Sequence, residues 1–313
     1  MKFKHILVAT DLCDSVREGF PHAASWGRQF NARVTLLYVE TDPELLTAMP
    51  VANHDAVMEA AIAKRDQKLA EAKAAIEGYG ASCDVALVAG DPKRAITAFA
   101  EEHDVDLIVV TKHSRFLERL RKLGSTTARI LRTSRIPMLV VHSGDSPMSP
   151  SHLMIAHDVT EGSADGLQAA LDLAAAWEAK VTAVHAVDRH GAVSLFGADL
   201  PGTLPTAEQL VAHYQAALVD QLNARQAQNF EVHARVAGAM PVGEALSGAA
   251  EQIGADLICI PTVSRNAFER ILLGSTTERL VTEANVPVFV MPQTWLAPDD
   301  RDRSLPVEPA TPR

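Results

Sequence analysis

The strongest constraint on this chain is that it contains itself twice. Leu123-Gly124-Ser125-Thr126-Thr127-Ala128-Arg129 returns as Leu273-Gly274-Ser275-Thr276-Thr277-Glu278-Arg279, an offset of 150. Asp106-Leu107-Ile108 answers to Asp256-Leu257-Ile258, Ser114-Arg115 to Ser264-Arg265 and Pro137 to Pro287 at the same spacing. Near the start, His5-Ile6-Leu7-Val8-Ala9-Thr10-Asp11 matches His152-Leu153-Met154-Ile155-Ala156-His157-Asp158 at an offset of 147. A unit of about 145 residues is a whole domain, far longer than a solenoid repeat. The chain therefore reads as two domains, 1–143 and 150–293, joined by a polar, proline-containing linker, with a charged, proline-bearing tail over 294–313 that lacks periodicity and is expected to be disordered.

Within the first unit, short apolar runs alternate with helix-period stretches. Phe3–Thr10, Ala32–Glu40, Asp84–Ala89, Leu107–Val110 and Met138–His142 read as strands. Ser15–Phe30, Asp55–Gly78, Pro92–His103 and Ser125–Ser134 read as helices, and the second unit repeats the order from His152 to Met291. Strands of Val, Ile and Leu that barely alternate require a parallel sheet covered on both faces. The fold class is α/β: two tandem doubly wound domains, each a five-stranded parallel sheet flanked by helices. The last strands, Met138–His142 and Val288–Pro292, fall at sheet edges, which are pairing templates unless covered.

Lys+Arg 29 against Asp+Glu 39 leaves a formal charge of −10, a field that repels nucleic acid and anionic membrane surfaces. No uninterrupted apolar stretch reaches the length of a membrane span, and a cytoplasmic location is expected. Cys13, Cys83 and Cys259 lie far apart without a C-x-x-C, so they are expected to be ordinary buried thiols. P-loop, G-x-G-x-x-G and G-x-S-x-G motifs are absent, as is any His, Cys, Asp and Glu grouping with metal-ligand spacing.

In open α/β sheets, ligands bind beyond the carboxyl ends of the strands where strand order reverses. Three features converge there in each unit. The first strand ends in Asp11 or Asp158, the second ends near Val39 or Ala186, and the loop after the fourth closes with Gly124-Ser125 or Gly274-Ser275 at a helix N-terminus, where unpaired amides favour a phosphate. The pattern resembles that of the universal stress protein family, duplicated in one polypeptide. That resemblance covers 1–143 and 150–293 and implies an adenine nucleotide alpha hydrolase-like fold, with pairing of two domains through their last strands and further homodimerisation open.

Nucleotide-binding members of that family carry an Asp after the first strand, which contacts the nucleoside, and a loop of the form G-x-x-G-x(9)-G-[ST]. Here the final Gly-Ser survives in both units, while the earlier glycines are replaced by Thr111 and Ser114 in the first and by Pro261 and Ser264 in the second. The resemblance implies ATP or AMP, with magnesium if ATP, bound mainly in the first unit by Asp11, Val39, Thr111, Ser114, Gly124, Ser125, Thr126 and Thr127. The corresponding second set is Asp158, Ala186, Ser264, Gly274, Ser275 and Thr276, weakened because Pro261 removes an amide.

Each feature also has a plainer reading. The aspartates can close the turn that follows, and Ser275 with Glu278 spells a capping box. Lone histidines such as His157 and His113 are expected to be hydrogen-bonded structural residues. The run Arg115, Glu118, Arg119, Arg121 and Lys122 reads as a solvated turn or an anion-drawing rim, and the charged helix Val57–Gly78 as a solvated face. Function is expected to be nucleotide binding or sensing in a stress response. The alternative is an interaction protein or small-ligand carrier that has lost the nucleotide; slow ATP hydrolysis has no nameable catalytic residue and ranks last.

Overall fold

The computed structural model describes residues 3–41, 54–112, 123–142, 149–159, 163–187, 206–225, 227, 230–236, 240–262 and 274–296. The first half runs β1 (His5–Thr10), a short 3-10 turn (Asp14–Glu18), α1 (Gly19–Phe30), β2 (Arg33–Glu40), α2 (His54–Gly78), β3 (Cys83–Ala89), α3 (Pro92–Glu102), β4 (Leu107–Thr111), α4 (Ser125–Thr133) and β5 (Met138–Val141). The second half repeats it as β6 (His152–Ala156), α5 (Ala164–Trp177), β7 (Lys180–Val187), α6 (Ala207–Ala224), β8 (Phe230–Val236), α7 (Val242–Ile253), β9 (Leu257–Thr262), α8 (Ser275–Glu283) and β10 (Val288–Pro292). A further turn of helix, α9 (Gln293–Leu296), was not foreseen from the sequence.

The two five-stranded units join through their last strands, so that the described residues form one ten-stranded sheet in the order β3-β2-β1-β4-β5-β10-β9-β6-β7-β8. Neighbouring strands are parallel except at the centre, where β5 and β10 pair antiparallel with Leu139 opposite Phe289. The last strands thus remove each other's open edge, as their apolar sequences anticipate. One face buries α1, α2, α5 and α6; the other buries α3, α4, α7 and α8, so both helical layers run across the seam.

Aromatic rings fill the first layer at the seam. Phe289 lies with its ring centroid 5.3 Å from Trp26 and 6.1 Å from Phe3, and Phe30 meets Trp177 edge-on at 6.1 Å. Trp295 of α9 stacks on Phe3 at 6.2 Å, which explains why the chain continues as helix past β10. In the second layer Arg132 pairs with Glu278 at 2.6 Å, and the His142 ring bonds to the carbonyl of Val281 at 2.8 Å.

The repeated Asp-Leu-Ile proves to be structural. The carboxylate of Asp106 accepts the amides of Lys4 and His5 at 2.7 and 3.1 Å, and Asp256 does the same for Ser151 and His152, tying the start of β1 or β6 to the loop before β4 or β9. Helix ends follow local chemistry. Asp91 caps α3 by accepting the Lys93 amide, with Pro92 at the first helical position, while α1, α5 and α7 stop at left-handed Asn31, Glu178 and Gly254.

Three expectations need correction. The helix α2 is not solvated throughout: its N-terminal half is exposed, but its Leu69, Ala72 and Ile76 are buried in the core shared with α1 and the sheet. Cys83 and Cys259 are buried, and burial pushes both thiols up, Cys83 to about 11, whereas Cys13 sits half-buried in the turn after β1. The Ser275–Glu278 capping box does not form: Gly274 is the capping residue, no side chain caps the helix, and Glu278 instead faces Arg132. The tail from 297 on, most of the linker (143–148), and residues 188–205 and 113–122, with His113 and the run Arg115 to Lys122, lie outside the described residues.

Leu139 is 1% exposed against Phe289. A buried, unpaired carboxylate there carries a heavy desolvation cost besides the lost packing, so Leu139→Asp is expected to destabilise the chain by about 4 kcal/mol or more. Urea unfolding followed by tryptophan fluorescence measures it, and an unchanged midpoint would contradict the seam as a stability determinant.

Candidate functional site

The strand order makes β1 and β4 neighbours, with β2 and β3 on one side and β5 on the other. That is a topological switch point, the place where the loops beyond two adjacent strands part and leave a crevice. Asp11 follows β1 there; Val39, near the end of β2, lies on the α3–α4 face; Thr111 ends β4; and α4 opens with Gly124 and Ser125. Topology therefore gathers the described members of the first set at one end of the sheet. Ser114 and Ser264 lie outside the described residues.

Gly124 is buried with φ −58° and ψ 144°, and its amide bonds to the carbonyl of Lys112 at 3.4 Å. The Thr127 hydroxyl donates to the carbonyl of Thr111 at 3.4 Å, fastening the first turn of α4 to the end of β4. Ser125 is exposed and Thr126 half-buried, and no acidic residue stands in this first turn. The side chain of Lys112 is buried beside it. The first amides of a helix have no intrahelical acceptor and sit at the positive end of its dipole, so this turn can accept an anion.

Asp11 is exposed, and its carboxylate accepts the Cys13 amide at 3.0 Å. It therefore does close the following turn, as the plainer reading anticipates. Leu12 takes a left-handed conformation, φ 59°, and its counterpart Val159 does so at 61°. Both carbonyls are held from the long helix on the α1–α2 or α5–α6 face: Lys68 donates to Leu12 at 3.2 Å, and the Gln221 amide to Val159 at 3.3 Å. Nothing in the repeat marks Lys68 and Gln221 as equivalents, because α2 and α6 diverge in sequence and align only in space. Beside Lys68 a shallow groove lined by Thr10, Cys13, Asp14 and Arg17 opens on the face away from α4.

The second half keeps the frame and changes its contents. Asp158 is exposed, Ala186 is half-buried on the α7–α8 face, and Gly274, Ser275 and Thr276 open α8. Glu278 adds a negative charge to that first turn, which disfavours an anion even though Arg132 pairs with it. Gly243 of α7 packs so tightly on α8 that a methyl group on it would fall 2.7 Å from the Thr276 carbonyl oxygen. His157 replaces Thr10 and is hydrogen-bonded within the interior, as expected of a structural histidine. Among the described residues no group of three His, Cys, Asp or Glu side chains could hold a metal.

The universal stress protein family model matches residues 2–142 and again 151–292. The chain belongs to the universal stress protein family. A universal stress protein of Methanocaldococcus jannaschii is 30% identical over 141 residues, spanning 44% of this chain and 82% of that protein. Universal stress protein A of Salmonella typhi is 27% identical over 142 residues, 45% of this chain and 95% of its own. The crystal structure of a universal stress protein from Archaeoglobus fulgidus superposes with a TM-score of 0.65 at 20% identity, over 92% of this chain and 96% of that one, a likeness of fold. Two matches to one family model make this a tandem member. No helix among its described residues is long and apolar enough to cross a membrane.

Pro261 and Thr111 occupy equivalent positions, each facing a glycine near the start of the helix after the first strand. A methyl group on Gly166 would collide with the Pro261 ring, whereas one on Gly19 would sit 3.4 Å from Thr111. Gly166→Ala is therefore expected to cost about 1–3 kcal/mol through overpacking, and Gly19→Ala to be near neutral. Thermal unfolding of the two variants checks the contrast.

Proposed function

We propose that this universal stress protein binds an adenine nucleotide in its first half and has lost or weakened that capacity in its second. The observation that carries the reading is the switch point between β1 and β4, where the acid-free, side-chain-uncapped first turn of α4 opens beside the end of β4 and next to the turn that holds Asp11. The amides of Ser125, Thr126 and Thr127, with the hydroxyls of Ser125 and Thr126, would hold phosphate, Asp11 the nucleoside, and Val39 the apolar edge of the base. Any magnesium would be held chiefly by phosphate oxygens, since its preference for near-octahedral oxygen coordination is met by a triphosphate and water. In the second half, Glu278 in the equivalent helical turn opposes the same anion.

The experiment is isothermal titration with ATP, ADP and AMP, with and without magnesium, after unfolding and refolding to strip carried-over ligand. Saturation near one equivalent is expected. Gly124 has a backbone conformation open to any residue, so Gly124→Val should fold and yet abolish binding by crowding the phosphate; Gly274→Val should leave it within about twofold. Equal loss from both would contradict the asymmetry. No heat and no thermal stabilisation at millimolar nucleotide would favour the interaction-protein reading, for which the observation is that Asp11 already caps its own turn.

A further inference from the structure

We propose that His157 is an acid-sensitive latch that fastens α6 to the carboxyl end of β6, so that protonation of its ring loosens α6 in the second half. The ring is 4% exposed. Its Nε2 lies 2.6 Å from Gln221 Oε1 on α6 and 3.4 Å from the Ser163 hydroxyl just before α5. The Gln221 side chain is oriented by its other contact, because only its NH2 can donate to the Val159 carbonyl. Its oxygen therefore faces His157, which must present Nε2–H. Nδ1 is then the unprotonated nitrogen, and among the described residues it meets no hydrogen-bond partner. A second proton would have to enter there, in a buried position that offers no acceptor among the described residues.

The surroundings reinforce this arrangement. From β7, His185 donates Nδ1–H to the His157 carbonyl at 2.7 Å, and its ring lies against Tyr214 of α6 with centroids 4.4 Å apart. The other charged groups that act on the His157 ring are Asp158 in its own turn, which favours the cation, and Arg225 at the end of α6, which opposes it. Burial outweighs the Gln221 hydrogen bond and Asp158 and holds His157 below its ordinary value; burial likewise lowers His185. Each ring is thus neutral in the closed form and takes up a proton more readily once α6 lifts. The stabilisation is complete above about pH 6.5 and is lost as pH falls below it. In the first half the same positions hold Thr10 and Lys68, with no imidazole between them.

Hydrogen exchange of the intact chain tests the latch, with rates corrected for intrinsic pH dependence. Protection of residues 207–224 is expected to fall at least tenfold from pH 7.5 to pH 5. In His157→Thr/Gln221→Lys, which copies the first half, the fall should shrink at least threefold. Equal falls in both proteins, or none in the wild type, would overturn the proposal. Should the double variant fail to fold, the wild-type ring decides by nitrogen-15 NMR titration: an Nε2–H tautomer titrating below 6.5 supports the latch, and an Nδ1–H tautomer or titration at or above 6.5 overturns it.

Discussion

The antiparallel pairing of β5 with β10 is the contact on which the rest of the molecule depends. A five-stranded unit of this topology leaves its fifth strand with one open row of amides and carbonyls, and here that strand is wholly apolar, so exposure would cost both hydrogen bonds and burial. Covalent duplication lets the two open edges satisfy each other inside one chain. Once they pair, α1 and α5 fall side by side on one face and α4 and α8 on the other, which is why Trp26, Phe30, Trp177 and Phe289 meet and why Arg132 reaches Glu278.

Within that shared frame the halves differ at the strand ends. The backbone device is the same in both: a left-handed residue after the first strand whose carbonyl is held from the long helix. The first half holds it with a lysine and leaves the first turn of α4 without acid. The second holds it with a glutamine locked to a buried histidine, places Glu278 in the equivalent turn, and draws α7 close through Gly243. One half is thereby suited to an anion, and the other to a neutral, proton-sensitive interior.

Much of this was legible in the sequence because it rests on local, periodic or repeated signals. The strands announce themselves as Val, Ile and Leu runs, the duplication locates both Gly-Ser helix starts, and Asp11 and Asp158 recur in register. What failed did so for a physical reason. Glu278 three residues after Ser275 has the spacing of a capping box, but a partner on α4 across the seam outcompetes the helix's own N-terminus. The alternating charges of α2 conceal Leu69, Ala72 and Ile76, whose burial depends on packing with α1 and the sheet.

The sequence by itself determined the doubling, the α/β order and the strand-end residues, since each follows from spacing and side-chain chemistry within a short stretch. Only the tertiary structure decided the antiparallel register of β5 on β10, that Lys68 and Gln221 are counterparts, and that His157 is enclosed against Gln221. Those facts depend on groups 56 to 150 residues apart meeting in space, and no local pattern encodes which of them will touch.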